Sequence, residues 1–289
     1  MFAIMGVTGN VGGAAARHLL AAGHKVRAVL RDQSKAAPWQ ALGAEIAIAS
    51  VEDVGALTKA FVQTEGVFVM VPPNFAPDPA FSSARVASAN QAAALAAAGA
   101  PKAVALSSIG GERESGLGLI SQVHILEEAL GRLSIPTAIL RPGWFMENSL
   151  WDVTPARQTG EMASFLQPLD KVFPMVATAD IGRVAAQTLT QSWTGRRVIE
   201  IEGPKRYSQN EIAALLGHAL GRNVAAHLVP RGEWAARFQA QGIAWPQPRV
   251  DMLDGFNSGW IDFDPGKNEH ITGTVSYETV LADLVKLAA

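Results

Sequence analysis

Short apolar runs alternate with longer segments that repeat apolar residues at helical spacing, and this pattern dominates the first half of the chain. Continuous runs rich in valine, isoleucine and phenylalanine fit strands that are buried on both faces of a parallel sheet. Such an alternation predicts an α/β fold with a doubly wound parallel sheet and right-handed crossovers. The predicted strands are residues 2–5, 25–30, 45–49, 66–71, 102–106 and 136–140, and the predicted helices are residues 14–20, 34–42, 54–61, 81–98 and 119–133.

The alternation becomes irregular after Gly143. We expect a helix that Thr178 or Asp180 caps, and a second helix with a capping box made by Ser208 and Glu211. A strand at 198–201 is expected to return to the main sheet. The full set for this half is helices at 179–189, 209–220, 233–241 and 277–287, strands at 198–201 and 224–229, few helical repeats in 144–175 and a loop-rich stretch at 242–275.

These patterns predict a dinucleotide-binding core of the Rossmann-like type and a smaller lobe. We assign residues 1–150 to the core, with residues 176–202 returning to it. Residues 151–175 and 203–289 form the predicted C-terminal substrate-binding lobe. No linker-like stretch separates the two parts.

A glycine-rich turn lies between the first predicted strand and the first predicted helix. Gly6, Gly9 and Gly12 are spaced by three in this strand–turn–helix context. One glycine allows a sharp turn, one lets the backbone approach a pyrophosphate, and one lets helix and strand pack closely. Because a helix N-terminus offers free N–H groups and the positive end of the helix dipole, the turn predicts a dinucleotide site.

The end of the second strand predicts which dinucleotide binds. A basic residue there favours the 2′-phosphate of NADP, whereas an acidic residue favours the ribose of NAD. The strand is expected to end at Arg31, with Lys35 as a second cation, so we predict NADP(H). If the strand ends one residue later, at Asp32, NAD would be favoured instead.

Ligands of this fold bind at the carboxyl ends of the strands, which defines the candidate site residues. The candidate cofactor contacts are Gly6, Thr8, Gly9, Asn10, Val11, Gly12, Arg31, Lys35, Val71, Pro72, Pro73, Ser107 and Arg141. The candidate substrate-pocket residues are Asn74, His124, Trp144, Phe145 and Trp151, because aromatic walls suit a flat aromatic substrate.

Composition narrows the function classes. With a net charge of −2, the chain shows no basic surface for nucleic acid, and with no cysteine it has no thiolate nucleophile, disulfide or cysteine-ligated metal. The six histidines are scattered and form no metal motif. We expect no signal peptide, no membrane span and a cytoplasmic location, with a small aromatic substrate as partner and a homodimer left open.

The chain carries a set of motifs at residues 6–12, 29–32, 69–73, 106–108, 135–142, 143–148, 179–185, 202–204 and 208–221. Taken together, these motifs resemble the NmrA-like family of atypical short-chain dehydrogenases. The resemblance extends over nearly the whole chain and is strongest towards bacterial NADPH:quinone oxidoreductases and triphenylmethane-dye or azo-dye reductases, which share His124 and Glu128. It implies flavin-free hydride transfer from NADPH to an electron-poor acceptor. Ser50 departs from the aspartate that the family often has near the adenine.

The usual catalytic pair of short-chain dehydrogenases is missing. Their tyrosine acid is followed four residues later by a lysine, but neither Tyr207 nor Tyr277 has a lysine at that spacing. Alcohol or ketone chemistry by a tyrosine acid is therefore not expected. His124 is the candidate acid, the alternative being a structural role in its helix, and Ser107 either orients a ligand or caps a turn.

A second hypothesis is a non-catalytic NADP(H)-binding redox sensor that regulates a protein partner, since the NmrA-like family also includes such proteins. Loss of the tyrosine–lysine pair is expected there as well. An epimerase or dehydratase is disfavoured because the tyrosine is missing.

Replacing Arg31 with alanine tests the predicted cofactor. We expect Arg31→Ala to weaken NADPH binding much more than NADH binding, because only NADPH carries the 2′-phosphate that a guanidinium fork suits. Fluorescence titration of both nucleotides measures the two losses, and equal losses would contradict the assignment.

Overall fold

An eight-stranded, entirely parallel sheet forms the centre of the computed structural model, which describes residues 1–288. Four further short strands pair two by two outside it. In chain order the strands are β1 Phe2–Met5, β2 Val26–Leu30, β3 Glu45–Ile48, β4 Gly66–Met70, β5 Ala103–Leu106, β6 Thr137–Pro142, β7 Trp144–Phe145, β8 Glu161–Ser164, β9 Met175–Val176, β10 Arg196–Glu202, β11 Ala225–Leu228 and β12 Glu269–Thr272.

Helices cover both faces of this sheet and build a lobe beside it. They are α1 Asn10–Ala21, α2 Ala37–Ala41, α3 Val54–Phe61, α4 Ser82–Ala97, α5 Ser121–Leu130, α6 Leu150–Thr159, α7 Thr178–Thr190, α8 Gln209–Leu220, α9 Trp234–Ala240, α10 Gln247–Ser258 and α11 Tyr277–Leu287. One buried cluster joins α1 and α7 to the sheet, and a second joins α3, α4 and α5 to the opposite face. A third cluster fills the lobe and draws on α6, α8, α9, α10 and α11. Among the described helices, none has the length and apolarity that a membrane span requires.

The strand order confirms the predicted doubly wound α/β fold. It reads β12-β10-β6-β5-β4-β1-β2-β3, so the direction of winding reverses between β1 and β4. In open α/β sheets, ligands bind at such a switch point, outside the carboxyl ends of the strands. Strands β1, β2 and β6 are buried along their whole length, which explains their continuous apolar runs.

Two expectations for the second half are wrong. The stretch 242–275 was expected to be loop-rich, yet it contains α10 and also β12, which pairs with β10 in the main sheet. Pro246 and Pro248 suggest a break, but proline is tolerated in the first turn of a helix, where its missing N–H has no helical partner. The polar sequence of β12 suits an edge strand. Residues 144–175 also contain α6 despite Pro155 inside it.

Other local predictions are confirmed. Ser208 and Glu211 form a capping box, with the Ser208 N–H 2.8 Å from Glu211 Oε2 and the Glu211 N–H 3.2 Å from Ser208 Oγ. The predicted final helix coincides with α11, and β10 pairs with β6 as expected for a strand that returns to the sheet.

Helix α7 begins differently from the prediction, since neither Thr178 nor Asp180 caps it through its own side chain. The carboxylate of Glu147 instead accepts the Thr178 N–H at 2.9 Å and the Thr178 hydroxyl at 2.6 Å. Asp180, only 1% exposed, accepts the N–H groups of Thr274 and Val275 at 2.9 and 2.8 Å. Because these partners are distant in sequence, α7 ties the lobe to the sheet.

Glu147→Gln tests this external cap. The amide replaces one accepting oxygen with an NH₂ group, so we expect a loss of about 1–2 kcal/mol in the free energy of unfolding, measured with urea. Exposed Glu128→Gln is the matched control and should change stability by less than about 0.5 kcal/mol. Equal losses in the free energy of unfolding of the two variants would contradict the capping role of Glu147.

Candidate functional site

The three glycines of the first turn differ in how closely the protein surrounds them. Gly6 has a φ of +65°, which favours glycine. A Cβ on Gly12 would lie 2.5 Å from the carbonyl oxygens of both Gly6 and Met5, so the close approach of α1 to β1 requires glycine there. A Cβ on Gly9 would meet only the Gly6 oxygen, at an ordinary 3.4 Å. Nothing in the protein therefore demands glycine at position 9, and the space beside it is left open.

The N-terminus of α1 is free of competing groups. Gly9 is its N-cap and supplies no side-chain acceptor, and the first turn contains no acidic residue. The N–H groups of the first turn thus keep their hydrogen-bonding capacity, and the helix dipole adds positive potential. Both properties suit an anionic ligand such as a pyrophosphate.

A cleft of about 160 Å³ lies at this N-terminus, at the carboxyl ends of β1, β2, β3 and β4. Of the predicted cofactor contacts, Gly6, Thr8, Gly9, Arg31, Pro72 and Pro73 line it, together with the apolar side chains of Met5, Val29, Leu30, Ala49, Val51 and Met70. Asn10, Val11 and Gly12 form the adjoining first turn of α1, whereas Val71 is buried within the core.

Arg31, rather than Asp32, faces this cleft. Strand β2 ends at Leu30, and Arg31 takes part in none of the ion pairs formed within residues 1–288. The Asp32 carboxylate accepts the N–H and the hydroxyl of Ser34 at 2.8 and 2.7 Å, and these bonds lower its pKa. Lys35 is exposed and does not line the cleft. The geometry therefore leaves Arg31 as the cation available to a ligand.

Ser107 and Arg141 lie at the ends of β5 and β6, as predicted, but their side chains contact protein groups. Glu127, only 3% exposed, accepts the Ser107 hydroxyl at 2.5 Å and two Arg141 nitrogens at 3.0 and 2.6 Å. Glu112 also lies 3.1 Å from Arg141, and Arg196 donates to Glu127. This buried charge cluster orders the strand ends, and it gives the predicted ligand contacts of these two side chains no support.

His124 and Asn74 hold neighbouring loops. The Nδ1 atom of His124 lies 2.8 Å from the Gly111 carbonyl, which only accepts, so Nδ1 carries a proton. The other ring nitrogen is 3.9 Å from a Glu128 oxygen. The carbonyl of Asn74 accepts the side-chain amide of Gln122 at 2.9 Å. Both predicted pocket residues thus lie near the ends of β4 and β5, each with a protein partner.

A second cavity, of about 180 Å³, opens in the lobe and is lined largely by aromatic and apolar side chains. Of the predicted pocket residues, Trp144 and Trp151 line it, the latter 80% exposed at the rim. Phe145 does not, because it packs against the core of the sheet. The main additional walls are Phe75, Phe165, Leu166, Met175, Ile212 and Leu253.

Sequence reasoning missed the polar side of this lobe cavity. It consists of Asn148, Ser149, Asp152, Ser164, Gln209, Arg249 and Tyr277. No motif marks these residues, since they come from five separate segments; the only available signal is an isolated aspartate beside Trp151. Burial raises the pKa of Asp152 to about 7, against a lowering by its hydrogen bond to Ser149.

No group of three or more histidine, aspartate or glutamate side chains within residues 1–288 is placed to hold a metal ion. The features that can hold a ligand are therefore the cleft at α1 and the lobe cavity.

The fold and the uncapped helix at the switch point define the class: an α/β protein with a Rossmann-like sheet. A sequence model of the NmrA-like family matches residues 1–245, and the chain belongs to this family. The family predicted from the motifs is thereby confirmed.

Three known proteins illustrate the similarity. An NAD(P)H azoreductase of Xenophilus azovorans is 28% identical over 255 residues, which are 88% of this chain and 85% of that protein. The structure of an NADPH-dependent quinone oxidoreductase of Escherichia coli complexed with NADPH superposes with a TM-score of 0.78 at 25% identity, over 99% of each chain. The Citrobacter sp. triphenylmethane reductase complexed with NADP(H) gives a TM-score of 0.78 at 19% identity, over 100% of this chain and 99% of that one, and supports the fold alone.

Alanine substitutions at Gly12 and Gly9 test the steric account of the turn. Gly12→Ala forces a methyl group against two carbonyls, so we expect it to lower the free energy of unfolding by at least about 1–3 kcal/mol. Gly9→Ala should cost less than about 1 kcal/mol, the difference between glycine and alanine at an N-cap. Urea unfolding measures both, and a reversed order would contradict the packing described here.

Proposed function

We propose that the protein is a flavin-free, NADPH-dependent reductase that transfers hydride to electron-poor aromatic acceptors such as quinones, azo compounds or triphenylmethane dyes. The observation that carries the proposal is the open space at Gly9, at the uncapped N-terminus of α1 and in a cleft that Arg31 also lines. The aromatic lobe cavity near this cleft supplies a place for a flat acceptor.

The cleft fits NADP(H) at two points. The pyrophosphate would bind the first-turn N–H groups of α1, where Gly9 removes the side chain that would block its approach. The 2′-phosphate would pair with Arg31, whose guanidinium has no carboxylate partner among the ion pairs formed by residues 1–288. Asp32, held by Ser34, does not compete for the ribose.

The named relatives support the acceptor class. The names of the azoreductase and the quinone oxidoreductase give NAD(P)H or NADPH as the reductant and an azo compound or a quinone as the acceptor. Hydride transfer to such acceptors needs no tyrosine acid of the kind that this chain lacks.

In the proposed mechanism the nucleotide supplies the hydride and the protein supplies position and exclusion of water. Trp144 and Phe75 provide apolar walls against which an aromatic acceptor stacks. The buried cluster around Glu127 keeps the ends of β5 and β6 rigid beside the reaction site. His124 remains a candidate acid through Nε2 only in its doubly protonated form, because in the neutral ring the single proton lies on Nδ1 and is donated to Gly111.

A redox sensor that only binds NADP(H) is the second candidate. The observation that favours it is the burial of Ser107 and Arg141 against Glu127, which leaves two strand-end residues without a reactive role. The sensor and the reductase require the same cofactor cleft and differ in turnover.

The proposal also includes the division into a core (residues 1–150 and 176–202) and a lobe (residues 151–175 and 203–289), and a cytoplasmic location. The separate buried cluster in the lobe supports the division, although β12 belongs to the sheet. The absence of cysteine supports a reducing compartment.

NADPH oxidation by the flavin-free protein against a panel of quinones, azo dyes and triphenylmethane dyes tests the proposal. We expect turnover by the wild type and an NADPH dissociation constant at least about tenfold higher in Gly9→Ala, because its methyl group enters the phosphate site. Gly55→Ala, on the exposed surface of α3, is the matched control and should bind normally. Equal binding of NADP⁺ and NADPH with no acceptor reduced would favour the sensor instead.

A further inference from the structure

The lobe cavity brings together one carboxyl group, one phenol and one guanidinium. The titratable or charged residues that line the cavity are Asp152, Arg249 and Tyr277. Burial raises the pKa of Asp152 to about 7 and raises that of Tyr277 far above its ordinary range. Burial lowers the pKa of Arg249, whose intrinsic basicity nevertheless keeps it charged at neutral pH. A neutral carboxylic acid, a neutral phenol and one guanidinium therefore face the cavity below pH 7.

A chain of hydroxyl groups holds the Asp152 carboxyl in place. Ser149 is hydrogen-bonded to Asp152 and lies with its oxygen 2.9 Å from the Tyr277 hydroxyl. The Tyr277 N–H donates to the Tyr207 hydroxyl at 3.3 Å, and both tyrosine rings are fully buried. The chain joins α6 to the first turn of α11, so the carboxyl is fixed by packed elements.

The other charged wall of the cavity does not neutralise this carboxyl. The guanidinium of Arg249 stacks 4.2 Å from the centre of the Phe238 ring, and its Nη1 donates to Gln241 at 3.2 Å. No ion pair between Arg249 and Asp152 occurs among the described residues. The carboxyl is therefore available to a ligand in the cavity.

The lobe cavity adjoins the nucleotide cleft along the chain. Pro73 lines the cleft and Phe75 lines the cavity, and two residues of chain span at most about 7 Å. Trp144, which also lines the cavity, lies two residues beyond the carboxyl end of β6 at Pro142. An acceptor in the cavity thus lies beside the strand ends where this fold places the reactive part of a dinucleotide.

We propose that Asp152 is a catalytic residue, the proton donor for those acceptors that must gain a proton together with the hydride. This inference rests on the proposed reductase function and adds to it a division of the substrates into two classes. Ser149 and Tyr277 act as positioning residues that aim the carboxyl into the cavity.

The step balances without a further reactant. A quinone takes up one hydride from the reduced nicotinamide and one proton from Asp152. The O–H bond of the carboxyl breaks as a new O–H bond forms on the hydroquinone oxygen. Asp152 leaves the step as a carboxylate and regains its proton from water. An azo compound likewise takes one hydride and one proton, on adjacent nitrogens.

A triarylmethyl cation differs in a way that makes the proposal testable. Hydride addition to its central carbon gives the neutral leuco compound directly, and no proton is required. The same active site should therefore need Asp152 for a quinone and dispense with it for a cationic triphenylmethane dye.

The first experiment compares Asp152→Asn with the wild type at pH 6, using one quinone and one triphenylmethane dye. We expect quinone reduction to fall by about 10²-fold, within the usual range for loss of a general acid. Dye reduction should stay within about twofold of the wild type, because the carboxyl is mostly neutral at pH 6 and asparagine is also neutral. Asp283→Asn, exposed on α11, is the control and should affect neither substrate.

The second experiment follows pH. In the wild type, kcat for the quinone should be constant below about pH 7 and fall about tenfold per unit above it, because only the protonated acid donates. Asp152→Asn should lack this decline, and Asp152→Glu should restore part of it. As a readout independent of turnover, the infrared carbonyl band of a protonated carboxyl should disappear between pH 6 and 8 in the wild type and be absent in Asp152→Asn. NADPH binding, measured by fluorescence, should be the same in both.

Three results would contradict the role of Asp152 as proton donor while leaving the proposed reductase function intact. The first is equal quinone and dye losses in Asp152→Asn. The second is normal quinone reduction by Asp152→Asn while His124→Gln loses it. The third is an unchanged infrared band. If the wild type reduces neither acceptor, the reductase function itself fails.

Discussion

The close contact between α1 and the end of β1 determines where a ligand can bind. Gly12 lies against the carbonyls of Met5 and Gly6, and any side chain there would move the helix away from the strand. With the helix at this distance, its uncapped N-terminus points to the switch point between β1 and β4. Gly9 then leaves room for phosphate, and Arg31 stands at the end of the neighbouring strand. This steric constraint thus positions the phosphate-binding end of the cofactor cleft, while the ends of β2, β3 and β4 supply its other walls.

A second set of contacts sets the lobe against that cleft. Glu147 caps α7 from the segment after β7, and Asp180 within α7 binds the chain just before α11. The Asp180 carboxylate is buried and the Glu147 carboxylate is partly buried, and both accept backbone N–H groups, so they fix the orientation of α7. Helix α11 in turn carries Tyr277, whose hydroxyl meets Ser149 beside Asp152. Because Asp180 holds the chain just before α11, the lobe cavity depends on α7, the helix that also packs against α1 and the sheet.

The features of the structure that could be predicted from the sequence are those determined by residues close to one another along the chain. The turn at residues 6–12, the capping box at Ser208 and helix α11 each follow from neighbouring residues. Helix α10 was missed because its prolines look like breakers, although they occupy the tolerated first turn. Ser107 was placed at the correct strand end, but its partner Glu127 comes from another element. Trp144 and Trp151 of the lobe cavity were predicted, but its polar side was not, since five separate segments build that side.

The central claim is that hydride passes from NADPH to an acceptor without a flavin, and isotope transfer tests it most directly. The flavin-free protein would be incubated with NADPH deuterated at the transferable position of C4 and a cationic triphenylmethane dye. Mass spectrometry of the leuco product then shows whether deuterium has been added to the central carbon, where carbon-bound deuterium does not exchange with water. The account predicts a product one mass unit heavier than that from unlabelled NADPH. Tight NADPH binding with no deuterium in the dye would contradict it and would favour the sensor.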